Sequence, residues 1–217
     1  MFFFPIGCLL LVFFILFLPV LFLLIFFNVT TFSLGRLGVS PETALLILLF
    51  ILIGSIINIP LTKKTAYYSR RRLFGWFEVP VRYESGLAIN LGGAIIPLIL
   101  SIYLLLRVPL WPVAAATVVM IVICKFMTRA VPGRGLTIPM FIPPILAALL
   151  AILLAREFAA PCAYISGVLG TLIGGDLLNL GKARKLGVGM VSIGGAGVFD
   201  GIFLVGIVSV LLTAFFG

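Results

Sequence analysis

A 217-residue chain that is 63% hydrophobic, with a mean hydropathy of +1.37, is not an ordinary soluble domain. Its net charge of +9 would suggest nucleic acid in a soluble protein, but in so apolar a chain it marks basic loops facing anionic lipid. The composition therefore predicts one integral membrane domain over residues 1–217 and an all-α fold, a polytopic bundle of transmembrane helices.

Seven spans are expected in chain order, near 2–27, 43–61, 87–106, 110–127, 138–155, 161–180 and 190–216. Each approaches the ~20 residues that cross a hydrocarbon core. The first carries nine phenylalanines before Asn28 and has no basic leader or small-residue cleavage site. It reads as a retained, lipid-facing helix rather than a signal peptide. The basic residues sort by side. Lys63, Lys64, Arg70, Arg71, Arg72, Arg82, Lys125, Arg129, Arg134, Lys182, Arg184 and Lys185 fall in loops on one side, and only Arg36, Arg107 and Arg156 on the other. That asymmetry predicts an inner N-terminus and an outer C-terminus. Residues 63–86 interleave basic and aromatic side chains and predict a cytoplasmic loop or short helix lying in the interface. Arg156 and Glu157 are expected to form an outer ion pair.

Helix breakers gather on the basic side. Asn90, Gly92 and Gly93 open the third span, Pro132-Gly133-Arg134-Gly135 precedes the fifth, and Gly187, Gly189, Gly194, Gly195 and Gly197 interrupt the seventh. So many glycines argue against a continuous helix. A re-entrant or broken segment is expected near 186–200, with the last helix starting near Val198. Unwound backbone at that depth must be covered by protein or water.

Two acids sit in this region, Asp176 after Gly174-Gly175 and Asp200 between Phe199 and Gly201. A carboxyl group in lipid costs several kcal/mol unless it has a partner, water or a proton, so intramembrane acids mark functional sites. The bland alternatives are a helix-dipole contact for Asp200 and an ion pair with Lys182, Arg184 or Lys185 for Asp176. Both acids are expected at similar depth on the basic side.

Two carboxyls held together share one proton, and one then activates water while the other protonates a carbonyl oxygen. The leading expectation is thus intramembrane aspartyl hydrolysis of a transmembrane peptide by Asp176 and Asp200. The rival is ion- or proton-coupled transport, with Asn90, Asn179, Ser192 and Asp200 as oxygen ligands and the backbone of Gly194, Gly195, Gly197 and Gly201 lining the break. A non-enzymatic membrane assembly role is third. No cofactor or metal is expected: histidine is missing, and Cys8, Cys124 and Cys162 are scattered through apolar runs. The expected partners are the lipid bilayer, a transmembrane peptide or small ion, and a second copy of the chain. Nucleic acid is not expected.

Four strings carry a family resemblance: Asn90-Leu91-Gly92-Gly93-Ala94-Ile95-Ile96-Pro97, Pro132-Gly133-Arg134-Gly135, Gly174-Gly175-Asp176-Leu177-Leu178-Asn179-Leu180, and the run from Ser192 to Phe203. From about residue 85 onward the chain resembles an uncharacterised prokaryotic membrane family, that of domain of unknown function 1614. The resemblance implies a polytopic protein of a prokaryotic cytoplasmic membrane and no particular activity. Gly175-Asp176 and Phe199-Asp200 also resemble the Gly-x-Gly-Asp and Tyr-Asp motifs of intramembrane aspartyl proteases. Here, however, Ile173 stands at the first glycine, Phe199 replaces tyrosine, and the motif order is reversed.

Overall fold

The computed structural model describes residues 6–62, 65–73, 77–131, 135–185, 190–195 and 201–216. Helix α1 (Ile6–Gly35) is followed by α2 (Pro41–Gly54), and a π-helical turn (Leu91–Ile95) leads into α3 (Ile96–Leu105). Then come α4 (Leu110–Met127) and α5 (Ile142–Leu154). A 3-10 turn (Arg156–Phe158) opens α6 (Ala159–Leu169), which continues as a π-helical segment (Gly170–Asp176), a 3-10 turn (Leu177–Asn179) and α7 (Leu180–Lys185). Helix α8 (Gly201–Phe216) closes the chain.

The protein is a mostly helical membrane protein. Among the described residues, three helical stretches are long and apolar enough to cross a bilayer: Phe14–Gly35, Leu110–Met127 and Arg156–Ala183. Four shorter apolar helices accompany them, Pro41–Gly54, Leu91–Leu105, Ile142–Leu154 and Gly201–Phe216. At 1.5 Å per residue, 14-residue α2 is about 21 Å long, short of a ~30 Å hydrocarbon core.

Helix α6 occupies the centre. Cys162 through Val168 are buried, and α3, α4, α5 and α8 pack around them. With no water to expel between helices in lipid, this packing relies on close approach at small residues. A Cβ on Gly167 would lie 2.8 Å from Val205, and one on Gly206 would lie 2.8 Å from the Tyr164 ring. Helix α1 lies at the periphery, with Leu16 67% exposed, as expected of a lipid-facing helix. It is tied to α8 by the Ser33 hydroxyl, which donates to the Ile207 carbonyl at 3.0 Å.

Strands cluster at one end of the bundle: β1 (Asn58–Pro60), β2 (Thr65–Leu73), β3 (Phe77–Asn90), the short hairpin β4 (Arg129–Val131) and β5 (Gly135–Thr137), and β6 (Met190–Ile193). β2 and β3 form a hairpin, with Thr65 opposite Ser85 through Leu73 opposite Phe77. Beyond it, Ala88 and Ile89 are paired on both edges, antiparallel with β1 and parallel with β6. This end is called the strand end below, and the end carrying the α1–α2, α3–α4 and α5–α6 connections is called the turn end.

The structure corrects three expectations. Residues 65–73 and 77–85 form a hairpin rather than a short helix, because β-branched and aromatic residues there satisfy their backbone by pairing. The third helical stretch starts at Leu91, not 87, since residues 87–90 belong to β3. The seventh expected span is not one helix, since Met190–Ile193 is extended in the sheet; the last helix is described over Gly201–Phe216, and its expected start near Val198 lies outside the described residues.

Candidate functional site

At the strand end, the long α6 helix loosens. Gly170 and Gly174 bring α4 onto the π-helical segment. A Cβ on Gly170 would lie 2.5 Å from Met120 Cβ, and one on Gly174 would overlap the Ile121 carbonyl oxygen. The Thr171 hydroxyl bonds back to the Gly167 carbonyl at 2.8 Å, a local alternative to regular helix bonding. π-helical turns recur at functional sites, and this one ends on Asp176.

Wider turns and helix ends leave carbonyls without intrahelical donors. Asn179, fully buried, supplies them. Its Nδ2 donates to Gly174 O at 2.8 Å, Gly175 O at 3.1 Å and Lys125 O at 3.2 Å, joining the end of α4 to the end of the π-helical segment. Its Oδ1 is buried and accepts no hydrogen bond. Such an atom in an apolar bundle carries an uncompensated desolvation cost.

Asp176 itself is met from above by the broken segment. After β6, Gly194 and Gly195 take φ of 82° and 67°, the left-handed region that favours glycine. The turn aims the Gly194 N–H at Asp176 Oδ2, 2.7 Å away. That length is typical of a charge-assisted bond to a carboxylate. Gly194 is also wedged against the first π-helical turn, since a Cβ there would lie 2.6 Å from Ala94 Cβ. Among the described residues, Asp176 has no basic partner; the expected ion pair with Lys182 is not formed, and the side chains of Arg184 and Lys185, the other two expected partners, lie outside the described residues.

The other expected residues form a neighbouring polar chain. Asn90 caps the first π-helical turn by accepting from Gly93 N–H at 2.7 Å. Its Nδ2 donates to the Ser55 carbonyl at 2.7 Å and to Asn58 Oδ1 at 3.2 Å. Ser192 donates to the same Asn58 Oδ1 at 2.7 Å. Both Asn90 and Ser192 are thus engaged in holding β1, β3 and β6 together. Gly197, Phe199 and Asp200 lie outside the described residues. Gly201 begins α8, and a Cβ there would sit 3.7 Å from Ile138 Cγ2, while one on Gly175 would sit 4.0 Å from Ile138 Cδ1.

Sequence reasoning missed Asn58, Ser55 and Ile138. Asn58 stood out weakly, as a lone amide in Ile56-Ile57-Asn58-Ile59. Ile138 had no signal, because its position depends on two segments far away in sequence. Among the described residues no three His, Cys, Asp or Glu side chains gather.

The family described as Protein of unknown function (DUF1614) matches residues 52–212, which is 161 of the 217 residues. No curated protein and no solved structure matches the chain, so nothing there supports the protease-like motifs.

Proposed function

The chain belongs to this family of unknown function, and from that premise we propose that it is an ion- or proton-coupled membrane transporter whose exchangeable charge binds at Asp176. One observation carries the reading. A half-buried carboxylate, set in a central helix where it passes from π-helical to 3-10 turns, is held by a backbone N–H, and among the described residues no lysine or arginine pairs with it. A fixed cation would neutralise it permanently, whereas a neutral donor leaves its charge for a mobile proton or cation. The surroundings agree with this role. Secondary transporters build such sites from discontinuous helices, and two π-helical turns and an unwound glycine pair meet here. The unpartnered Asn179 Oδ1 adds an oxygen ligand within four residues of Asp176.

The test is charge movement on a solid-supported membrane carrying reconstituted protein. Steps in pH and in sodium concentration should displace charge in the wild type and not in Asp176→Asn. Identical responses from both, or none from the wild type, would overturn the proposal.

A second reading, aspartyl hydrolysis, has its own support. Gly175 and Gly201, the chain neighbours of Asp176 and Asp200, both lie against Ile138. If the two acids form a dyad, model transmembrane peptides are cleaved by the wild type and spared by Asp176→Asn and Asp200→Asn. Uncleaved peptides in all three preparations would end that reading. In either case, the strand end faces the cytoplasm.

A further inference from the structure

The turn end carries a second polar feature unconnected with Asp176. The α1–α2, α3–α4 and α5–α6 connections border a half-open cavity of about 270 Å³. Arg36, Arg107 and Glu157 line it together with apolar Leu104, Phe158 and Pro161. All three charged residues are exposed, and none is paired with an opposite charge among the described residues. The expected Arg156–Glu157 ion pair is therefore not formed. Two guanidinium groups on the rim of one small cavity make it suited to an anion.

The surroundings say what kind of anion. Beside Arg107, Leu106 and Trp111 are each 82% exposed and Leu110 is 64% exposed, an apolar surface suited to acyl chains. Tryptophan and tyrosine concentrate at the headgroup level of a bilayer. Arg107 stacks on Tyr103, with its guanidinium carbon 4.1 Å from the ring centroid, which fixes the cation at that depth. Arginine forks match phosphate oxygens in a way that a point charge does not. Glu157 on the same rim disfavours a purely anionic ligand and suits one that also carries an ammonium group. The volume lies just below that of drug-sized pockets, which begin at ~300 Å³, so it suits a headgroup rather than a whole lipid.

We propose that this cavity binds the headgroup of an ethanolamine-type phospholipid, its phosphate between Arg36 and Arg107 and its ammonium at Glu157. The proposal does not depend on the transport reading.

Native mass spectrometry of the detergent-purified chain, titrated with phosphatidylethanolamine, phosphatidylglycerol or phosphatidylcholine, tests it. Phosphatidylethanolamine should bind the wild type best. The double variant Arg36→Gln, Arg107→Gln should weaken that binding by about tenfold or more, since two charge-assisted contacts are lost. Glu157→Gln should keep phosphatidylethanolamine but bind phosphatidylglycerol equally well. The double variant Arg36→Lys, Arg107→Lys keeps the charge and controls for folding, and should fall between. Equal binding by the wild type and the glutamine double variant overturns the site. Equal affinity of the wild type for phosphatidylglycerol overturns the role of Glu157. Competition by soluble phosphoethanolamine at equal concentration overturns a membrane lipid as the source.

Discussion

Gly194→Ala is the sharpest probe of how the broken segment is held on Asp176. Two separate penalties apply. Alanine in the left-handed region costs roughly 1–2 kcal/mol. Its Cβ would also lie 2.6 Å from Ala94 Cβ and 2.7 Å from Ala94 N, a backbone neighbour that cannot swing aside. Overpacking of that kind costs about 1–3 kcal/mol. The sum is about 2–5 kcal/mol, and relief by moving Gly194 breaks the 2.7 Å bond to Asp176. Gly38 separates the two penalties, because it has φ of 77° and a Cβ there would meet no heavy atom within 4 Å. Gly38→Ala should therefore show the conformational penalty alone. The assay is reversible unfolding in mixed micelles, followed by circular dichroism as denaturing detergent is added. If the two variants are destabilised equally, to within about 0.5 kcal/mol, the packing of Gly194 on Ala94 is not what positions the turn.

Three further outcomes follow from the same packing. Asn179→Leu removes an amide serving three carbonyls, and should cost about 1–3 kcal/mol by the same unfolding assay, allowing for the modest worth of hydrogen bonds in lipid. Asn179→Asp should cost more, because it turns an acceptor toward those carbonyls; greater stability than Asn179→Leu would refute the bonding scheme. Gly174→Ala should destabilise by about 3 kcal/mol or more through its overlap with Ile121, whereas Gly181→Ala, in open space on α7, should be neutral or gain up to about 1 kcal/mol in thermal unfolding. Ser192→Ala removes one donor to Asn58 and should cost about 0.5–1.5 kcal/mol, with hydrogen exchange rising first in β6 and β1.

Much of the architecture could be read along the chain. Each predicted apolar run overlaps a helical stretch, though the runs 43–61, 87–106 and 190–216 also take in strand residues, and α4 matches its expected bounds at both ends. That 190–193 does not continue a helix was legible from the glycines around it, and Asp176 was legible as an acid toward the end of its helical stretch. These are local properties: lipid forces the backbone to bond within its own segment, so apolar length and helix breakers report directly on structure. The hairpin of residues 65–73 and 77–85 was not legible, because basic and aromatic interleaving suits an interfacial helix and a paired strand alike.

By itself the sequence determined a membrane bundle, its breaks, and an acid stranded among apolar residues. Only the tertiary structure decided what that acid meets. β6 reaches β3 across about a hundred residues, and that pairing carries Gly194 N–H to Asp176. The Asn179 amide finds Lys125 on another helix in the same way. Contacts between distant segments leave no periodic trace in the chain, because they depend on which backbones approach closely enough to exchange hydrogen bonds. Here that approach is set by glycines packed against carbonyls and Cβ atoms of neighbouring helices.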